Sequence, residues 1–194
     1  IMRHDSETLY EALRPDPFYL ALENAYTGPY KAREAMLRYY DLSIREGKTW
    51  GRLGTADGVE GISVWSVPLS DSDARKKAAS KVSALSSAMG TACAKLFQRI
   101  ETSMARSEAR LDLESMWYLS ILGVSPAQQG QGFGPKLLAP VLAEADAAGV
   151  ASYLTTFTPR NIPFYERQGY VDAGCFPEPV TGAEITVLVR QPPS

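Results

Sequence analysis

The spacing of apolar positions changes period several times along this chain, and each change marks a new element. Over residues 5–14, Leu9 and Leu13 stand four apart, as on one helix face, with Asp5 or Ser6 placed to cap it. Pro15 and Pro17 interrupt this pattern, and residues 19–26 resume a short helix. After a Gly28-Pro29 turn, the stripe Ala32, Met36, Leu37, Tyr40 and Ile44 predicts a helix over 29–46, with Gly47 as its stop. The period then falls to two. Residues 48–53 and 59–67 read as strands joined by an Asp57-Gly58 hairpin turn, with Ile62 and Val64 alternating against Ser63 and Trp65. In 71–109 the helical period returns: Val82, Leu85, Met89, Cys93, Leu96, Ile100 and Met104 recur at threes and fours, around a break or close contact at Gly90. This insert is two amphipathic helices or one long kinked helix, and its stripe reads as core packing.

The second half alternates more regularly. Trp117–Val124 is a β-prone apolar run, followed by a glycine-rich loop and a helix over 135–148 that Pro140 should kink. Strand 151–157, a short helix over 161–168 with Asn161 as N-cap, and strands 170–176 and 184–190 complete the order, ahead of a disordered QPPS tail. Helices, hairpin, helical insert and then β-α-β-α-β-β make an α/β protein with a mixed sheet and helices on both faces. At 194 residues, with no repeat or linker, the chain is expected to be one domain, 1–194.

Composition narrows the chemistry. A net charge of −2, from 20 basic and 22 acidic residues, argues against a broad nucleic-acid or membrane footprint. The two cysteines, Cys93 and Cys175, suggest no disulfide framework, and a cytoplasmic setting is the default. The single histidine, His4, stands at the chain start, which argues against a Ser-His-Asp triad or a histidine-ligated metal.

The loop after Trp117–Val124 carries the strongest signal. Glycines 130, 132 and 134 alternate just before a helix, where outward backbone N–H groups make an anion site. A dinucleotide fingerprint begun at Gly130 would need glycine at 135, and a P-loop would need Lys after Gly134; Pro135 excludes both. What remains is Q-x-x-G-x-G, through Gln129, Gly132 and Gly134.

This stretch resembles the GNAT N-acetyltransferases, whose acetyl-coenzyme A pyrophosphate loop has the form [Q/R]-x-x-G-x-[G/A]. The preceding Gly123-Val124-Ser125-Pro126, and Asn161 and Tyr165 within a late N-x-x-x-Y-x-x-x-G-[FY] segment, are similar to that family too. With Val64-Trp65-Ser66 and the helical insert, the likeness is to the puromycin N-acetyltransferase-like branch. It is strong over 116–170, weaker over 46–70, and unusable within the insert.

The resemblance implies a GNAT-like, mostly antiparallel twisted sheet with a two-helix insert between strands, and a coenzyme-binding segment over 117–170. It implies acetyl-CoA as cosubstrate, no metal, and transfer of the acetyl group to a primary amine of a small molecule by direct attack on the thioester. The alternatives are a protein N-terminal or lysine acetyltransferase, or a non-catalytic acyl-CoA sensor. Homodimers are common in the family. By the same resemblance Leu122, Gly123 and Val124 would pair with pantetheine. Gln129, Gly130, Gln131, Gly132, Phe133 and Gly134 would hold pyrophosphate. Asn161 would reach the pantetheine arm or simply cap its helix, and Tyr165 would be the general acid. Lys136 and Arg160 are either phosphate partners or solvated charges. Glu114, Glu60 or a water chain are the candidates for general base, and Trp50, Trp65, Tyr118 and tyrosines 19–40 could line an acceptor pocket. Two departures bear on the acceptor: Leu154-Thr155-Thr156 stands where the branch carries Leu-Glu-Thr, and no strand is visible ahead of the first helix.

Overall fold

The computed structural model describes residues 2–193; Ile1, and Ser194 of the expected tail, lie outside them. The chain begins with helices α1 (Met2–Leu13), α2 (Pro17–Asn24) and α3 (Ala32–Trp50). A hairpin, β1 (Gly51–Gly54) and β2 (Gly61–Ser66), leads into α4 (Asp71–Glu108). Then follow β3 (Trp117–Val124), α5 (Phe133–Ala147), β4 (Ser152–Thr156), α6 (Ile162–Glu166), β5 (Val171–Glu178) and β6 (Ala183–Arg190). The six strands form one sheet in the order β1-β2-β3-β4-β6-β5. Every neighbouring pair is antiparallel except β3–β4. The expected mixed, mostly antiparallel sheet is therefore present. Among the described residues no helix is long and apolar enough to cross a membrane.

Helices cover both faces. One core gathers Leu9, Met36, Tyr40, Met89, Phe97 and Ile100 of α1, α3 and α4 over Ile62, Val64, Ile121 and Val187. The other packs Leu138, Val141, Leu142 and Ala145 of α5 on Trp65, Trp117, Leu119 and Leu188. Each such large side chain removed from water contributes roughly 1.5–3 kcal/mol.

Several expected boundaries move, each for a packing reason. Helix α1 starts before Asp5 and Ser6, so neither caps it; Ser6 is buried and donates its hydroxyl hydrogen bond to Asp41 of α3. Helix α3 runs past Gly47 to Trp50. A Cβ at Gly47 would stand 2.7 Å from Val64 and 2.8 Å from Leu53, so this glycine admits the hairpin and does not end the helix. On β2, Ile62 and Val64 do face opposite to Ser63 and Trp65, but both faces are covered and all four residues are buried. Buried Ser63 is satisfied by donating to the Leu137 carbonyl and accepting from the Trp65 indole. Helix α4 is the long helix broken at Gly90, whose φ of 80° is out of helical range. Val82 of the predicted stripe is exposed, and Phe97 is buried instead. Helix α5 begins at Phe133, two residues before Pro135, and continues through the exposed Pro140. Both cysteines are free.

Candidate functional site

Strands β3 and β4 begin side by side and then part. They pair only at Trp117–Ser152 and Tyr118–Tyr153, so beyond Tyr118 the β4-side edge of β3 has no strand partner. Its other edge stays paired to β2, with Gly61 opposite Val124 and Trp65 opposite Leu119. Val64 pairs with Ile121 and Trp65 with Leu119, leaving Ser120 as an extra residue, a β-bulge whose hydroxyl donates to the Val64 carbonyl at 2.9 Å. A bulge re-aims the side chains that follow it. Here Trp117 and Leu119 point into the α5 layer, while Ile121 points into the α1–α4 layer. The wedge thus leaves the β4-side edge of β3 at Leu122–Val124 without a strand partner; the Val124 carbonyl is met by Gln129, and the remaining groups on that edge must find a partner elsewhere.

The glycine-rich loop closes the wide end of this wedge. Gly130 and Gly132 have φ of 76° and 77°, and a Cβ on either would meet nothing within 4 Å. L-residues avoid this left-handed region, so glycine is required by conformation while the space in front stays open. Three glutamines brace the loop. Gln129 donates to the Val124 carbonyl at 3.0 Å, Gln131 to the Ala127 carbonyl at 2.9 Å, and Gln128 bridges Glu60 N–H and the Gly58 carbonyl. The bracing role of Gln128 lay outside the sequence motif. Gly132 takes the N-cap position of the 15-residue α5 and offers no side chain, so the first-turn N–H groups have no side-chain partner there.

A cavity of about 610 Å³ lies against this loop, walled by Leu122, Gly123 and Val124, by Gln129, Gly130, Gly132, Phe133 and Gly134, and by Asn161 and Tyr165. Gln131 is not in its wall. Arg160 and Arg167 are, which places two cations beside the helix N-terminus; Lys136 is exposed and lies over the Phe133 ring instead. Aligned N–H groups, a helix dipole and two guanidiniums together suit a polyanion.

A second cavity, of about 270 Å³, lies between the sheet and α2, α3 and α4. Leu13, Asp16, Leu122, Asn161 and Tyr165 wall both cavities, so the two meet there. Tyr165 is half-buried, and desolvation raises its hydroxyl well above the ordinary tyrosine range, so the phenol holds its proton. Asn161 precedes α6 but already has helical backbone angles, and its side chain makes no capping bond. Its capping role is therefore absent, and the amide faces the two cavities.

The second cavity is aromatic and carries fixed charges. Phe18, Tyr19, Tyr39, Phe97, Tyr118 and Phe157 contribute to its wall, several in edge contact, such as Phe18–Phe97 at 5.9 Å between centroids. Trp65 is also there, whereas Trp50 is not. Neither Glu114 nor Glu60 reaches either cavity; both lie exposed in the segments that precede β3 and β2. The carboxylates present are Asp16, Glu46 and Glu101. Glu46 is held by Lys77 and Lys81, each at 3.4 Å. Glu101 on α4 makes no hydrogen bond or ion pair. It is exposed toward the cavity it lines, and the desolvation it meets among the surrounding protein atoms raises its carboxyl pKa, partly offset by Lys81. Close by, Thr155 donates to Glu108 of α4 at 2.6 Å, so a carboxylate from the insert stands beside the Thr155-Thr156 pair. The helical periodicity of α4 gave no signal for Glu101 or Glu108, because the turn-by-turn position of a charge says nothing about which strand it meets.

Comparison with known proteins adds the following. A family model described as the Acetyltransferase (GNAT) family matches residues 73–170. An acetyltransferase of Agrobacterium fabrum is 36% identical over 75 residues, 38% of this chain and 55% of that protein. An uncharacterized N-acetyltransferase of Schizosaccharomyces pombe is 40% identical over 55 residues, 28% of this chain and 22% of that protein. The chain thus aligns with about half, or less, of the length of these curated relatives. Among solved structures, a histone acetyltransferase HPA2 and related acetyltransferase from Corynebacterium glutamicum superposes with TM-score 0.68 at 23% identity, covering 100% of this chain and 92% of that one. Arylalkylamine N-acetyltransferase 2 from Aedes aegypti does so with TM-score 0.61 at 13% identity, covering 97% and 94%. At these identities the likeness is one of fold.

Proposed function

The chain belongs to the acetyltransferase (GNAT) family, and from that premise we propose that it transfers an acetyl group from acetyl-CoA to a primary amine of a small molecule. The observation that carries this is the junction of two unlike cavities at Tyr165, Asn161 and Leu122: one built for a polyanion, the other aromatic and partly acidic. The loop N–H groups of Gly130–Gly134, with Arg160 and Arg167, receive the coenzyme phosphates. The free edge of Leu122–Val124 receives the pantetheine amides, and Asn161 reaches the same arm.

The chemistry follows from what sits at the junction. Orientation of amine and thioester in adjoining cavities replaces a bimolecular encounter. A backbone N–H on the β3 edge that β4 leaves unpaired polarises the thioester carbonyl. Tyr165, a phenol still protonated at working pH, donates to the leaving thiolate. Glu101, unpaired and facing the aromatic walls, attracts a second cationic or polar group of the acceptor. The long α4 supplies one wall through Lys77, Lys81, Phe97, Glu101 and Met104, which favours a compact amine over a protein chain. With Val64-Trp65-Ser66 on the neighbouring strand, this supports the puromycin N-acetyltransferase-like branch and a single domain over 1–194.

The test is release of free thiol from acetyl-CoA with puromycin, tyramine, putrescine and a lysine-containing peptide as acceptors. Turnover of a small amine well above the peptide is expected. Turnover of the peptide alone would transfer the assignment to protein acetylation. Tight coenzyme binding without turnover of any acceptor would leave an acyl-CoA sensor.

A further inference from the structure

We infer that Asp16 is the group that takes the proton from the attacking amine, a deepening of the acetyltransferase reading on which it rests. Asp16 stands between α1 and α2, at the N-cap of α2, far from any acetyltransferase-like motif in the sequence. It is the only carboxylate that walls both cavities among the described residues. Its two oxygens are fixed by different elements. Oδ1 accepts from Phe18 N–H at 2.9 Å, and Oδ2 accepts from the Thr158 hydroxyl at 2.8 Å, across 142 residues of chain. A carboxylate has about four lone-pair sites, so each oxygen keeps one to offer the cavity. Thr158 begins the segment that leads through Asn161 to Tyr165, so a single hydrogen bond ties the acid-bearing segment to Asp16.

The helix cap explains one of these bonds but not the other, and not the placement at the junction. The groups that act on Asp16 can be named. Burial raises its pKa; the Thr158 and Phe18 bonds and the Arg160 guanidinium oppose that rise. Its charge is felt by Tyr165 of α6, Tyr19 of α2, and Tyr39 and Tyr40 of α3. A carboxylate lifted toward neutrality and held where the two cavities meet suits general-base work.

The step balances with two protein groups. The amine lone pair forms the C–N bond, and the N–H becomes acidic as it does so. Asp16 accepts that proton. The C–S bond breaks, and Tyr165 gives its hydroxyl proton to sulfur. The products are the amide and free coenzyme thiol, and the proton gained at Asp16 equals the proton lost from Tyr165. Exchange with solvent restores both groups.

The experiment compares wild type, Asp16→Asn and Glu101→Gln. Asparagine caps a helix as well as aspartate, so Asp16→Asn keeps the α2 cap while removing the base. We expect wild-type melting temperature and acetyl-CoA affinity, with kcat lower by on the order of 10²-fold or more and loss of the acidic limb of the kcat–pH profile. Glu101→Gln should keep that limb and alter KM among amines. Wild-type kcat and an unchanged limb in Asp16→Asn would overturn the proposal while leaving the acetyltransferase reading intact. Loss of the limb in Glu101→Gln alone would overturn it in favour of Glu101. Absence of turnover by the wild type with every amine would remove the reading beneath it.

Discussion

Substitution Gly132→Ala separates the binding role of the loop from its conformational one. Gly132 has φ 77° and lies against the larger cavity, and no protein atom stands within 4 Å of the position a Cβ would take. The added methyl therefore meets no protein, and its cost in the free protein is the left-handed backbone, about 1–2 kcal/mol. For a domain of this size that lowers Tm by roughly 2–8 °C. In the proposed complex the methyl would occupy space assigned to phosphate oxygens. If one charge-assisted N–H bond is lost, worth about 1.5–3 kcal/mol, the Kd for acetyl-CoA rises about 10- to 150-fold. Gly182 is a matched control: its φ is 76°, it also has nothing within 4 Å, and it sits in the β5–β6 turn away from both cavities. Calorimetric titration with acetyl-CoA and thermal melts should show similar Tm losses for Gly132→Ala and Gly182→Ala, with weakened binding in the first alone. Wild-type affinity in Gly132→Ala would refute the loop as the phosphate site. Equal weakening in Gly182→Ala would show that the effect is global.

Three further outcomes are expected. Tyr165→Phe should lower kcat on the order of 10²-fold with little change in acetyl-CoA affinity, since a phenyl ring keeps the packing against Phe164 and Tyr170 and loses only the proton; an unchanged kcat across pH would remove it as the acid. Glu101 has a folded-state pKa raised by burial, so the stability it contributes is present at low pH and lost as pH rises through that pKa. Glu101→Gln should therefore raise Tm more at pH 8 than at pH 5, and an equal gain at both would contradict the burial argument. Asp146 is held below the ordinary carboxylate range by the Arg190 guanidinium, with bonds of 2.6 and 2.8 Å, so its contribution is present above the unfolded pKa and lost as pH falls through the folded one. Asp146→Asn should cost about 1–3 kcal/mol in urea unfolding at pH 7, and markedly less near pH 2.

The hairpin, the β3–loop–α5 unit and the last two strands were legible in the sequence because each rests on local pattern. What moved were ends: Gly47 reads as a stop by itself, yet serves as a gap for Val64 and Leu53. Asn161 reads as a cap, yet the preceding turn already carries it into helical geometry. In both cases the residue type was compatible with two roles, and only its neighbours chose between them.

By itself the sequence carried the proposal for the coenzyme side. A phosphate loop is made of consecutive backbone N–H groups, and the glycines at 130 and 132 that let them converge lie two residues apart in the chain, so a short motif carries the whole device. The acceptor side was decided by tertiary structure alone. Asp16 comes from the start of α2, Glu101 from α4 and Tyr165 from α6, and the space between them exists because β3 bulges at Ser120 and parts from β4. No periodicity links those residues, since a cavity is the place where distant elements fail to close, and that failure is written only in their packing.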